Sequence, residues 1–286
     1  MGHQNLSRLA LRRLSGFAAL ALLATPAAEA RPLETVRASG TLRVTVYTNY
    51  KPYSWVENGQ NLGIDVDIGA ALAKSIGAKP DFFALRPDDN INDDLRNGVW
   101  KGTIFGSAPG DVMLHVLYDK RIEEDNNKIA LAAPYHRDGL AMAVDPSKAE
   151  AAMDFSLFKT EKVAVDVGTM ADLILVSSHD HTLVPNVVHF RGTERAAAAF
   201  EKGEVAAFYG EGAAIESFAG KGKRAYKIIY PESKVARGWQ IGIAVKADSK
   251  DLAGALAKEM ASMQASGEMK KIFEKYGVAW REPKAE

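Results

Sequence analysis

LRVTVYTNYKPYSWVENGQNLGIDVD, residues 42–67, is the stretch whose reading decides how this chain folds. Apolar and polar residues alternate over residues 42–48, the period-two pattern of a half-buried strand. Asn49-Tyr50-Lys51-Pro52-Tyr53-Ser54-Trp55 then breaks the alternation with a proline and three large aromatic rings. Residues 65–76 follow as a helix, with Ile64, Ile68, Leu72 and Ile76 at helical spacing and Gly77 as a C-terminal cap. A strand, an aromatic loop and a helix in that order make a βα unit.

Outward from this unit the same alternation continues. Residues 81–85 and 111–116 read as strands, 92–99 as a short helix, and 129–135 as an extended, alanine-rich run. The pattern restarts at Leu140: strands over 140–144, 163–167, 187–190, 205–209 and 241–245 alternate with helices over 171–177, 194–202 and 213–218. Residues 251–276 form the longest helical stretch. Leu252, Leu256, Met260, Met263, Met269, Ile272 and Phe273 make its apolar face, and Gly267 marks a break. Strands alternating with helices predict an α/β protein with largely parallel sheets.

The first thirty residues follow a different grammar. Arg8, Arg12 and Arg13 precede a short apolar run over residues 14–23, and Ala28-Glu29-Ala30 offers a small-x-small cleavage site, so residues 1–30 are expected to be a secretory signal peptide. The adjacent arginines raise a twin-arginine route, but their flanks fit that signal poorly. The remaining 256 residues hold 33 Lys plus Arg against 35 Asp plus Glu. That near-neutral balance argues against nucleic acid or an anionic membrane as the main partner. No second apolar run approaches spanning length, so no membrane insertion is expected after cleavage. Zero cysteines exclude a disulfide scaffold, a thiolate metal site, a cysteine nucleophile and a lipidated cysteine anchor. Export without an anchor favours a periplasm.

The Pro-aromatic loop, Asn58-Gly59 and the helix start Gly63-Ile64-Asp65-Val66-Asp67 together resemble the opening of the family 3 extracellular (periplasmic) solute-binding proteins, the amino-acid-type substrate-binding proteins of ABC transporters. Four later stretches resemble the same family in the same order: Val163 to Thr169, Glu194 to Glu211, Gly238 to Val245, and Met269 to Gly277. The resemblance implies a bilobed periplasmic-binding-protein fold of type II, two βα lobes joined by two hinge crossings. Residues 31–138 plus 243–286 would form lobe 1 and residues 139–242 lobe 2. It also implies capture of a small polar, amino-acid-like or carboxylate ligand in the cleft, for an ABC permease or another periplasmic partner protein. No cofactor, no metal and no catalytic residue is expected.

The candidate ligand-binding residues follow from that register. Tyr50, Tyr53 and Trp55 crowd the place where the family stacks an aromatic ring on its ligand, although packing the loop would explain them as well. Gly168 and Thr169 precede a helix and would offer N–H groups and a hydroxyl to a carboxylate, or serve as an ordinary N-cap. Glu211 falls where amino-acid binders pair with the ligand amine. The Thr-x-x-Arg step of those binders is missing from Asp111 to Arg121; Tyr118 lies in this stretch, and Arg121 is the candidate replacement. His115, on the same strand, is either a cleft residue or hydrogen-bonded structure.

Three other features are open at the level of sequence. Residues 99–110 resemble an insertion expected near the cleft rim, where Trp100 and Lys101 would close over a ligand or touch a partner. The acidic run Asp88 to Asp94 lacks the glycine and glutamate of a calcium loop and reads more simply as a helix entry. His179-Asp180-His181 could hold a transition metal or be a polar loop. Two rival functions share the scaffold: a periplasmic dehydratase with His115 or Glu211 transferring a proton, and an accessory or sensory protein docking on a quinoprotein-type oxidoreductase or a receptor.

Overall fold

The computed structural model describes residues 31–219, 222–231 and 238–284. The expected signal peptide and its cleavage site lie outside them. Twelve strands are described, β1 (Thr41–Tyr47), β2 (Trp55–Glu57), β3 (Gln60–Leu62), β4 (Lys79–Leu85), β5 (Val112–Leu117), β6 (Ile129–Asp138), β7 (Leu140–Val144), β8 (Val163–Asp166), β9 (Val187–Phe190), β10 (Ala207–Glu211), β11 (Lys227–Ile229) and β12 (Trp239–Lys246). The α-helices are α1 (Leu33–Ser39), α2 (Ile64–Ser75), α3 (Ile91–Leu95), α4 (Lys120–Asp125), α5 (Ala149–Ala152), α6 (Met170–Ser177), α7 (Thr193–Glu201), α8 (Gly212–Ala219), α9 (Lys250–Ser266) and α10 (Glu268–Lys275).

Two five-stranded sheets result, ordered β4-β1-β5-β12-β6 and β11-β7-β10-β8-β9, with β2 and β3 forming a separate hairpin. In the first sheet β1 runs parallel to β4 and β5, while β12 is antiparallel to β5 and β6. In the second, β8 is parallel to β9 and β10, and β7 is antiparallel to β10 and β11. Each sheet is the middle layer of one lobe, as expected of the bilobed α/β fold.

Side-chain alternation explains why each sheet is covered on both faces. Leu42, Val44 and Val46 of β1 pack with Ile64, Ile68 and Leu72 of α2 and with Leu256, Met260 and Phe273 of the α9–α10 pair. Tyr47, Met113 and Val116 face the other way, against Leu95 and Val99. In the second lobe Leu140, Met142 and Val144 enter one core and Ala141 and Ala143 the other, as period two requires. The small alanines let Phe200 and Phe208 fill that second core. Gly267, at φ 77°, ends α9 and starts α10, the break that its position in the sequence signalled.

The chain leaves the first sheet at Asp138 and enters the second at Leu140, with Gly139 between them. The return is complete by Trp239, which pairs with Asp138, so residues 239–242 run in the first sheet rather than belonging to lobe 2 as the expected boundary had it. The physical reason is strand pairing: β12 must extend to the end of β6 to satisfy its backbone groups. Trp239 packs against both the first-lobe and second-lobe cores.

The loop at residues 101–110 is not at the cleft rim. Asp111 donates its N–H to the Arg43 carbonyl and accepts from the Arg43 N–H and the Arg31 guanidinium, all beside the start of β1. The aromatic loop at Tyr50 and Trp55 follows the opposite, carboxyl end of that strand. Trp100 and Lys101 therefore cannot close over a ligand there, because seven residues of extended strand separate the two poles. At the tip of this loop Ile104 and Phe105 are 87% and 91% exposed.

One glycine at the helix entry is dictated by space. Gly63 has φ 132°, and a Cβ on it would sit 2.1 Å from the Tyr53 carbonyl oxygen. Gly63→Ala is expected to lower the unfolding free energy by about 2 kcal/mol or more, measured from urea denaturation midpoints. An unchanged midpoint would mean that the aromatic loop is not pinned to α2 in this way.

Candidate functional site

A cavity of about 580 Å³ lies between the lobes. Its first-lobe wall is the loop after β1, with Asn49, Tyr50, Lys51 and Trp55. Its second-lobe wall comes from the end of β8 and start of α6 (Asp166, Thr169, Met170), the β9–α7 turn (Arg191 to Arg195) and β10 (Phe208 to Glu211). These are the carboxyl ends of parallel strands and the amino ends of helices, where open α/β sheets place ligands.

Two contacts already join the walls. The Tyr50 hydroxyl donates to Glu211 Oε2 at 2.6 Å, and Lys51 Nζ pairs with Glu194 Oε1 at 2.6 Å. Behind the first wall, the Tyr53 hydroxyl donates to Asp138 Oδ2 at 2.7 Å and the Tyr135 hydroxyl to Asp65 Oδ1 at 2.6 Å. The His115 ring stands among these groups, 4.1 Å from the Tyr53 ring and 4.8 Å from the Tyr50 ring, with Nδ1 3.4 Å from Asp65 Oδ2. His115 itself has φ 59°, unusual for a β-branched-free strand residue with a Cβ, opposite a register shift in β12.

Burial governs the electrostatics of this network. Burial, then the nearby Asp138, pushes the Glu211 carboxyl above the usual carboxylate range, against the opposing hydrogen bond from Tyr50. Burial likewise raises Asp138. The Tyr50 and Tyr53 phenols are raised well above their ordinary value by burial and by the carboxylates they face, so they stay neutral and keep a hydrogen to donate. His136, next to this cluster, is lowered to about 3 by burial and then by Arg281, which keeps its ring neutral.

The expected site residues divide by place. Tyr50, Trp55, Thr169 and Glu211 all line the cavity. Thr169 caps α6, its hydroxyl accepting from the Asp172 N–H and donating to the Asp166 carbonyl, and Gly168 beside it donates to Asp172 Oδ2. Tyr53 is fully buried behind Tyr50, the two rings stacked at 5.5 Å, so it supports the wall and does not face the cavity. His115 is likewise behind the wall. Tyr118 lays its ring against Gly242 of β12.

Arg121 is a correction. Its side chain is 82% exposed and pairs with Asp119 at 2.6 Å in the first turn of α4, outside the residues that line the cavity. The cause is local: Asp119 caps α4 by accepting from the Arg121 N–H, and the same carboxylate captures the guanidinium. The open metal readings also resolve into local bonding. Asp94 accepts from Tyr47 and from the Asp88 N–H, Asn90 caps α3, and His179 and His181 bond backbone carbonyls of Asp154 and Val176. Among the described residues no group of three or more His, Asp or Glu side chains is placed to hold a metal ion.

Reading the sequence alone passed over Lys51, Asp166, Arg191, Glu194 and Arg195 as cavity residues. The signal available was position: Asp166 ends a strand, Arg191 directly follows one, and Glu194 and Arg195 lie in the first turn of a helix. The buried partners Asp65, Asp138 and His136 carried no local signal.

The raised carboxyl of Glu211 gives a signed expectation. A folded-state pKa above the unfolded value means that the folded protein holds the proton more tightly, so stability is present in acid and is lost as pH rises through the folded value. Glu211→Gln removes that loss while keeping an acceptor for Tyr50. The variant should therefore show a higher urea midpoint than wild type at about pH 7.5 and little difference at about pH 4. A lower midpoint at the higher pH would show that the ionised carboxylate stabilises the closed lobes.

Comparison with known proteins agrees with this fold. The model of the bacterial extracellular solute-binding proteins, family 3, matches residues 42–104. The chain is 42% identical over 69 residues to the cyclohexadienyl dehydratase of Pseudomonas aeruginosa, a match spanning 23% of this chain and 26% of that enzyme's length. Among solved structures it is similar to an ancestral cationic amino acid solute binding protein (TM-score 0.68, 23% identity, 86% of this chain and 99% of that one). It is also similar to an amino acid ABC transporter substrate-binding protein from Streptococcus pneumoniae bound to L-arginine (0.61, 17%, 86% and 97%). A solute receptor for L-cysteine of Neisseria gonorrhoeae gives 0.57 at 22%, over 86% and 93%. These identities carry the fold, and among the described residues no helix is long and apolar enough to cross a membrane. Residues 42–104 thus match the model of the bacterial extracellular solute-binding proteins, family 3, and the chain as a whole is similar in fold to solved solute-binding proteins.

Proposed function

We propose that this protein captures a small polar solute between its lobes in a periplasm, holds it without changing it covalently, and delivers it to an ABC permease. The observation that supports this most is the pair of wall-to-wall contacts around the cavity, Tyr50 to Glu211 and Lys51 to Glu194. Bonds of this kind exist only while the lobes are together, so they favour the closed form and are lost when the hinge opens. The three carboxylates of the second-lobe wall are engaged in structure: Asp166 accepts from the Gly192 N–H and the Thr193 hydroxyl, Glu194 pairs with Lys51, and Glu211 accepts from Tyr50. That arrangement suits binding better than proton transfer, which needs a group free to exchange its proton with a substrate.

A specific observation favours a second role. The exposed Ile104-Phe105 tip is at the pole away from the cavity and would suit docking on a periplasmic partner without obstructing the cleft.

Native mass spectrometry of the gently isolated protein is expected to show one small molecule per chain, recovered unchanged after prolonged incubation. Recovery of a dehydrated product would replace the binding role with a dehydratase. Tyr50→Phe, which keeps the ring and removes the bridging hydroxyl, should weaken that molecule by about 1 kcal/mol in a calorimetric titration; equal affinity would show that the bridge does not support closure.

A further inference from the structure

The second-lobe wall of the cavity carries two charges that form no ion pair among the described residues. Arg191 follows β9 directly and Arg195 lies in the first turn of α7; both line the cavity and both are exposed. Neither has an ion pair or a side-chain hydrogen bond among the described residues. Their anionic neighbours are committed elsewhere: Glu194 to Lys51, Asp166 to Gly192 and Thr193, Glu211 to Tyr50. A further carboxylate, Glu57 of the first-lobe hairpin, also lines the cavity and accepts from Trp55 Nε1 at 3.3 Å; on the second-lobe wall the uncommitted ions are both guanidinium groups. The turn that bears them is held in place, since Asp166 ties down Gly192 and Thr193 between them. Arg121, the arginine expected to receive an acid from the first lobe, is outside the cavity and paired with Asp119.

We propose that Arg191 and Arg195 are the anion-recognition residues of this cavity and that its ligand is an organic acid, held by its carboxylate on the second lobe. A guanidinium offers parallel N–H donors that match a carboxylate fork, and an unpaired pair of them gains most from an anion and repels an amine. The aromatic faces of Tyr50 and Trp55 on the opposite wall would cover the body of the acid. Glu211, already accepting from Tyr50 and held toward its neutral form by burial, opposes an anion less than an ionised carboxylate would. This inference rests on the solute-binding reading and adds the class of solute.

The test is isothermal calorimetry on the mature protein freed of co-purifying small molecules, with succinate, benzoate and L-glutamate as acids and L-arginine as the cationic comparison. At least one acid should bind saturably, more weakly as salt is raised, and the R191Q/R195Q double variant should lose tenfold or more of that affinity. Because both side chains are exposed, the urea midpoint of the variant should match wild type, which separates lost binding from lost folding. Silence from all three acids, or an acid affinity unchanged in the double variant, overturns the proposal. Saturable L-arginine binding alongside silent acids would do so while leaving solute binding intact, whereas a protein that never carries or binds any small molecule would remove both.

Discussion

Asp138 at the end of β6 is the point on which the two lobes depend. Its carboxyl is buried at the crossing between the sheets, where an unsatisfied group of this kind costs on the order of 1–3 kcal/mol. The Tyr53 hydroxyl and the Gly139 N–H satisfy it, and Trp239 pairs with the same residue on the returning strand. One side chain therefore ties the aromatic loop after β1 to the outgoing crossing, and its backbone ties that crossing to the returning one. Loop, outgoing strand and returning strand meet there because the carboxylate needs partners.

From that junction the cavity wall is built outward. Tyr53, fixed on Asp138, supports Tyr50, which reaches across to Glu211 in the second lobe. His115, with its left-handed backbone, fills the space between these rings and Asp65. Burial, and then the nearby Asp138, hold the Glu211 carboxyl toward its protonated form at the contact between the lobes. The second-lobe wall has another character: Asp166 fixes the turn after β9, Glu194 and Glu211 meet the first lobe, and Arg191 and Arg195 have no ion pair among the described residues.

The positions of the exposed and buried aromatic residues separate two kinds of surface. Tyr50 and Trp55 are half-buried at the cavity. Ile104 and Phe105 stand in solvent on the far side of the first lobe, on a loop anchored by the Arg31 and Arg43 contacts to Asp111. A contact made through that loop would leave the hinge free to open and close.

What could be learned from the residues in order was whatever depends on near neighbours. Period-two alternation over 42–48, helical spacing from Ile64 to Ile76 and the break at Gly267 are local patterns, and local hydrogen bonding enforces them in the fold. The order of the elements and the α/β class followed from them, whereas the two lobes and the choice of Tyr50, Trp55, Thr169 and Glu211 as cleft residues came from the resemblance to the family 3 solute-binding proteins. Tertiary structure alone decided that Tyr53 turns inward to Asp138, that Arg121 turns outward to Asp119, that residues 101–110 lie at the distal pole, and that Arg191 and Arg195 reach the cavity. Each of these depends on a partner distant in the chain or on a contest between several partners, as when one capping carboxylate captures a guanidinium otherwise free to reach the cleft. Periodicity reports which face a residue occupies, whereas the direction of a loop side chain is set by whichever buried charge or open surface the folded chain brings to it.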